Sequence, residues 1–233
     1  MQAMCHIDTP KPQIALKIAI LFSGNGSNLQ NLLEQRDSIQ AALAPHGIVP
    51  EFVLGVSNNP SAYGITRCEN FGLEVQVLPH GAFAHRAAFE AALSEILVQY
   101  GVEFVVLAGF MRILGAEFVR KFRTINIHPS FLPLYKGAHA IADSYAGAEE
   151  FGGVSVHWVS EELDSGRIIL QEKLPKIAGE SLEDFEHRIH QLEYTLYPKA
   201  LIYALCECFA PESSPESTLD SALAFSPVTP TLG

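Results

Sequence analysis

Asn126 and His128 stand two residues apart in "INIHPSFLP", residues 125–133. Side chains at i and i+2 leave an extended strand on the same face, so a strand over 124–128 aims an amide and an imidazole at one point. Pro129 has no N–H to continue a ladder and favours extended geometry at His128, which puts that histidine at the strand's carboxyl tip. In open α/β sheets ligands bind there. A third group, Asp164, lies in the turn-like "ELDSG" after a later strand. A carboxylate folded over the strand tip favours imidazolium and raises the histidine's pKa. An amide donor, a cationic imidazole and an orienting carboxylate suit attack on a carbonyl that becomes an oxyanion, followed by protonation of a leaving amine. Each has a plainer explanation taken singly: a satisfied core histidine, a strand-end amide bonded to backbone, a solvated turn carboxylate. His157, on one strand face with Ser155, could join the site or make a structural hydrogen bond, and "KGAHA" leaves His139 without an assignment.

"SGNGSN", residues 23–28, sits between an apolar run and a helix-like one. A helix start offers unpaired N–H groups and the positive end of the dipole, and Gly24 and Gly26 let backbone approach an anion closely. A phosphate fits. The loop is neither a P-loop, for no Gly-Lys-Ser/Thr follows, nor a complete GxGxxG, since position 29 is Leu. A tight strand-to-helix turn with Ser27 as N-cap explains the same residues, and both readings stay open.

The elements that must position these groups alternate between strand and helix. Strands are expected at 17–22, 50–57, 74–78, 104–107 and 124–128, then at 153–159 and 168–175 as a hairpin joined by "SEELDSG". Helices are expected at 27–35, 62–71, 85–100 and 115–122, with Gly72 and Gly101 at two of their ends. Ser181 and Asp184 form a capping-box pattern opening a long last helix with Leu182, Phe185, Ile189, Leu192 and Leu196 in one stripe, and Pro198 should kink or break it. The fold class is α/β: a Rossmann-like, mostly parallel twisted sheet with helices on both faces, a C-terminal β-hairpin and a long helix.

The 233 residues, 48% of them hydrophobic, suffice for one domain, taken as 1–209 with flexible first residues. Residues 210–233 are rich in Pro, Ser and Thr, carry three acids and no base, and are expected to be disordered. A net charge of −11 without a basic cluster argues against nucleic acid and for a small ligand. Cys5, Cys68, Cys206 and Cys208 lack disulfide-framework or zinc spacing, so no metal is expected and the compartment is reducing. With no targeting signal and no uncharged apolar run near the roughly 18 residues of a membrane span, the chain reads as cytoplasmic and off the membrane.

"AILFSGNGSNLQNLLE", "LAGFMRIL", "NIHPSFLP" and "GVSVHWVSEELDSGRIILQ", in this order and spacing, closely resemble the phosphoribosylglycinamide formyltransferases over about residues 16–205. The Asn-x-His-Pro-Ser and Glu-Leu-Asp-x-Gly pair is shared by the wider formyltetrahydrofolate-dependent group. The resemblance implies transfer of a formyl group from 10-formyltetrahydrofolate, a co-substrate, to the amine of 5-phosphoribosylglycinamide in purine synthesis, by a monomer or homodimer. It implies that His128 is general acid and oxyanion stabiliser, Asn126 the second donor to the formyl oxygen, and Asp164 the group that raises the histidine's pKa. Gly26, Ser27 and Asn28 would hold the phosphate and Glu193 the glycinamide end. Met111, Arg112, Ile113 and Leu114 would line the pterin pocket, with Arg86, Asn126, Ser160, Glu161, Glu162, Leu163 and Asp164 completing the folate side.

The chain departs from that pattern at Lys136, where proline is usual, at Val154, where threonine is frequent, in "AHAIADS", and at His190, where glutamine or lysine is common. Formyltetrahydrofolate deformylase, with water in place of the amine, shares the trio but usually carries an N-terminal regulatory domain and lacks this glycine loop. An initiator-tRNA transformylase should add a basic C-terminal domain. Sugar-amine formyltransferases and a noncatalytic folate- or nucleotide-binding module complete the alternatives, and the last has no need of the trio.

Overall fold

The structure is a computed structural model, and it describes residues 13–210. Its strands are β1 (Ile14–Phe22), β2 (Ile48–Ser57), β3 (Val75–Val77), β4 (Phe104–Leu107), β5 (Arg123–His128), β6 (Phe151–Trp158) and β7 (Ile168–Pro175). Its α-helices are α1 (Ser27–Glu34), α2 (Arg36–Leu43), α3 (Gly64–Asn70), α4 (Arg86–Gln99), α5 (Ala116–Lys121), α6 (Ala140–Ala146) and α7 (Leu182–Phe209). The strands form one sheet in the order β3-β2-β1-β4-β5-β6-β7. The first five run parallel, and β6 and β7 are antiparallel as the expected hairpin.

Strand β1 shows how the sequence builds two cores from one strand. Its alternate residues Leu16, Ile18, Ile20 and Phe22 join one apolar cluster with α1, α2 and α7, while Ala19 and Leu21 join another with α4 and α5. After β1 the chain adds β2 and β3 to one side; β4 then pairs on the other side of β1. That reversal opens a crevice beyond the carboxyl ends of β1 and β4. Ser23 N donates to Gly109 O at 3.0 Å and Ala108 N to Leu21 O at 2.8 Å, fastening the two strand ends together.

Three local expectations change. Gly26, not Ser27, is the N-cap of α1; its φ of 77° is left-handed, and a Cβ there would sit 2.7 Å from Gly64 Cα, so glycine is required. Helices α2 and α6 were not expected: α2 buries only Ile39 and Leu43, and α6 only Ala140 and Ser144, too few residues to give a readable stripe. Helix α7 does not break at Pro198; it is one 28-residue helix with that proline buried inside it. Of the tail expected to be disordered, 210–233, all but Ala210 lies outside the described residues, as do residues 1–12 of the amino end expected to be flexible.

The reason for Pro198 lies in the hydrogen bonds. A proline deprives the carbonyl four residues earlier, Tyr194 O, of its helical donor. Here that carbonyl accepts from Asn31 Nδ2 at 3.0 Å and from Gln35 Nε2 at 3.3 Å instead. Gln35 Nε2 also donates to Asn31 Oδ1 at 2.7 Å, so the two amides act together. The break in one helix is thus filled by side chains of α1 and the residue after it, and α1 is pinned to α7.

Replacing both Asn31 and Gln35 by alanine leaves the Tyr194 carbonyl buried without a donor, at a cost of about 1–3 kcal/mol. Pro198→Ala restores a backbone N–H and should recover more stability in that double variant than in the native background, as read by urea unfolding. Equal effects of Pro198→Ala in the two backgrounds would show that the amides do not substitute for the missing donor.

Candidate active site

A cavity of about 710 Å³ lies beyond the carboxyl ends of β1, β4 and β5 and is lined by all three sequence-expected clusters: residues 23–28, 107–114 and 126–129. Asn126, His128, Asp164 and Glu193 all open on it.

Burial of His128 and Asp164 is near complete, at 5% and 8% exposure, so their charges meet across little solvent. His128 Nδ1 lies 3.5 Å from Asp164 Oδ2. Its Nε2 is 2.9 Å from the Tyr135 carbonyl. Both ring nitrogens therefore face acceptor oxygens. Gly137 N donates to Asp164 Oδ2 at 2.9 Å, and His157 Nε2 lies 3.7 Å from Oδ1. Burial alone would raise the Asp164 pKa, but the pairing with His157, the charge of His128 and the Gly137 N–H outweigh it and hold the carboxyl below its ordinary value.

His157 does both things its sequence reading offered, joining the site and making a structural hydrogen bond. It is directly opposite Asn126 in the antiparallel pair of β5 and β6. Its Nδ1 donates to Trp158 O at 2.9 Å, which leaves Nε2 3.3 Å from Asn126 Nδ2. The ring touches both Asn126 and Asp164, so it fixes one member of the trio against another. The sequence signal was present, since Ser155 and His157 share a strand face, but only the register supplies the contact.

The glycine loop is braced from α3. Arg67 Nε donates to Asn25 O at 2.9 Å and Nη2 to Asn25 Oδ1 at 2.9 Å, while Nη1 donates to Gln30 Oε1. Ser23 Oγ donates to Asn58 Oδ1 at 2.6 Å and accepts from Met111 N at 2.8 Å, joining this loop to the 111–114 segment. Asn28 is 8% exposed, lines the cavity at the start of α1, and its Oδ1 has no hydrogen-bond partner. Arg67 and Asn58 gave no sequence signal, because nothing local in either stretch points back to the loop.

Across the cavity stand Met111, Arg112, Ile113 and Leu114, with Ser160, Glu162 and Leu163. Two expected residues stand apart. Glu161 is 3.5 Å from Arg120 and does not line the cavity. Arg86 lines a smaller neighbouring cavity of about 270 Å³, is 3.3 Å from Glu90, and reaches the main one only through the shared walls Arg112 and Ile113. Glu193, 4% exposed, pairs with His190, whose Nδ1 donates to its Oε2 at 2.7 Å. Among the described residues no group of three or more His, Cys, Asp or Glu is placed to hold a metal ion, and no helix is long and apolar enough to cross a membrane.

Residues 16–201 match the formyl transferase family. The chain belongs to the formyl transferase family. It is 38% identical over 185 residues to the phosphoribosylglycinamide formyltransferase of Escherichia coli, covering 78% of this chain and 84% of that protein. The crystal structure of phosphoribosylglycinamide formyltransferase from Campylobacter jejuni superposes with a TM-score of 0.76 at 43% identity, covering 85% of this chain and all of that one. The trifunctional purine biosynthetic protein adenosine-3 of Bos taurus is 37% identical over 187 residues, and the match spans 79% of this chain but only 18% of that longer protein. The formyl transferase fold anticipated from the quoted motifs is therefore the observed one, long last helix included.

The Asp164 shift in this formyl transferase has a measurable sign. A carboxyl whose folded pKa lies below its unfolded value, near 3.9, adds stability above that value and loses it as pH falls through the folded pKa. Native protein should accordingly lose stability relative to Asp164→Asn as pH drops from about 5 to 2, in thermal unfolding across that range. A difference that stays flat over the whole range would place the charge elsewhere.

Proposed function

We propose that this chain transfers the formyl group of 10-formyltetrahydrofolate to the amine of 5-phosphoribosylglycinamide, giving the formylated ribonucleotide and tetrahydrofolate in purine biosynthesis, in the cytoplasm. The observation that carries the reading is that a buried Asn–His–Asp trio and a glycine-loop helix start with no side-chain cap on its N–H groups open on one cavity. The first suits a reacting carbonyl, and the second suits a phosphate some way from it. Similarity to enzymes named for this transfer supports the same substrates.

In this reading the amine nitrogen forms a bond to the formyl carbon, and the carbonyl oxygen becomes an oxyanion held by Asn126 Nδ2 and His128. Collapse re-forms the carbonyl and breaks the bond to N10 of the folate. One proton passes from the attacking amine to N10, with His128 as carrier and Asp164 stabilising its imidazolium form. To donate to substrate, His128 must exchange one of its two present acceptors. The Tyr135 carbonyl is the neutral one and costs less to displace than the carboxylate. Gly26, Ser27 and Asn28 take the phosphate, Glu193 the glycinamide end, and residues 111–114 with Ser160, Glu162 and Leu163 the pterin. Arg86, in the adjoining cavity with Arg112, suits the anionic tail of the folate, while Glu161 has no direct contact in this reading.

Formyl loss from 10-formyltetrahydrofolate should require the phosphorylated amine. Loss at the same rate in its absence would identify a hydrolase instead. His128→Ala and Asp164→Ala should each lower kcat by at least about 10²-fold while folate still binds. Ser27→Ala with Asn28→Ala should chiefly raise KM for the phosphorylated amine, and an unchanged KM would put the phosphate elsewhere.

A further inference from the structure

The α7 end of the cavity carries a charge arrangement that the trio does not explain. Ser27 and Asn28 contribute only a hydroxyl and an amide there, and α7 contributes Glu186, His190 and Glu193. Arg112 is the sole Lys or Arg lining the cavity among the described residues, and it stands on the β4 side with the smaller cavity. The imidazole of His190 lies between two carboxylates: Nδ1 is 2.7 Å from Glu193 Oε2, and Nε2 is 3.6 Å from Glu186 Oε1. Its side chain is 37% exposed, so it faces solvent and the cavity as well as Glu193. The hydrogen bond to Glu193 raises the His190 pKa, opposed by burial and helped by the charges of Glu193 and Glu186. Of the other elements around this end, the segment before α6 brings His139, and β5 with the β6–β7 connection brings the His128 and Asp164 pair.

With His190 protonated, it and the two glutamates sum to one negative charge; without the proton they sum to two. A phosphate monoester seated at the start of α1 carries negative charge into the same cavity, and the second state repels it more than the first. A glutamine here would never compensate the carboxylates, and a lysine would do so at every physiological pH. Histidine makes the compensation titratable.

We propose that His190 makes affinity for the phosphorylated acceptor depend on pH: its imidazolium clamps Glu193 and admits the phosphate, and loss of that proton weakens acceptor binding. The inference rests on the acceptor assigned above. The sign follows from the positive charge being present at low pH, so KM rises as pH climbs through the His190 midpoint.

The test compares KM for the phosphorylated amine between pH 6 and 9 in the native protein, His190→Lys and His190→Gln. The native KM should rise about five- to tenfold more than that of His190→Lys over this range, the size expected of one nearby charge. The split should fall on KM rather than kcat, and the dephosphorylated amine should show no such difference. In the native protein alone, the acceptor should raise the pH midpoint of the His190 imidazole signal in NMR, as reciprocity requires. Parallel KM profiles in native and His190→Lys proteins, or an imidazole midpoint unmoved by acceptor, overturn the inference while leaving formyl transfer intact. No transfer to the phosphorylated amine at any pH removes the assigned acceptor and this inference with it.

Discussion

The buried carboxylate of Asp164 is the constraint around which the rest is arranged. A charge at 8% exposure costs several kcal/mol unless it is paired and hydrogen-bonded, and this one is met from three directions: His128 on β5, His157 on β6 and the Gly137 N–H. Each contact comes from a different segment, so the carboxylate draws the β5 tip, the β6 strand and the 135–139 segment together. The same contacts that lower its pKa leave a negative charge beside His128 at neutral pH. One group thus sets both the local stability and the charge that His128 faces, and the hydrogen bond from Gly137 contributes to it as the histidine does.

A second constraint sets the far end of the cavity. Helix α1 begins at the glycine loop, and α7 carries Glu186, His190 and Glu193. The two helices are locked where Asn31 and Gln35 take over the carbonyl that Pro198 leaves without a donor. That carbonyl belongs to Tyr194, next to Glu193. Three residues on from that tyrosine, Tyr197 Oη donates to Leu107 O at 2.6 Å at the end of β4, tying α7 to the opposite wall as well. The spacing between an anion at the start of α1 and a group on α7 therefore depends on hydrogen bonds that lie outside the cavity.

Much of this was legible in residue order. The continuous apolar run after Lys17, the i, i+2 pair of Asn126 and His128, and the Ser181–Asp184 capping box each carry a local composition or spacing, and local signals survive into the structure. What was not legible depends on partners distant in sequence. Pro198 reads locally as a break, and only α1, more than 160 residues earlier, supplies the reason it is not one. Arg67 reads as an ordinary basic residue on α3 until the loop at Asn25 folds onto it. Arg86 and Glu161, assigned by resemblance, fall outside the main cavity, where they pair with Glu90 and Arg120.

The turn that delivers Asp164 shows how close such long-range placement runs to its limits. Because β6 is antiparallel to β5, its last residues lie beside Ile125 rather than beside His128, so the following segment must double back to reach the histidine. It does so through Asp164 itself, at a φ of 48°, and through Gly166, where a Cβ would lie 1.6 Å from the Trp158 carbonyl. Aspartate tolerates the left-handed conformation better than most residues, and glycine alone fits the second position. The residue that places a carboxylate beside His128 is therefore also one that the bend accepts. Any larger side chain at Gly166 would push the hairpin apart at Trp158 and move the carboxylate away from His128, with the strands and the cavity otherwise intact.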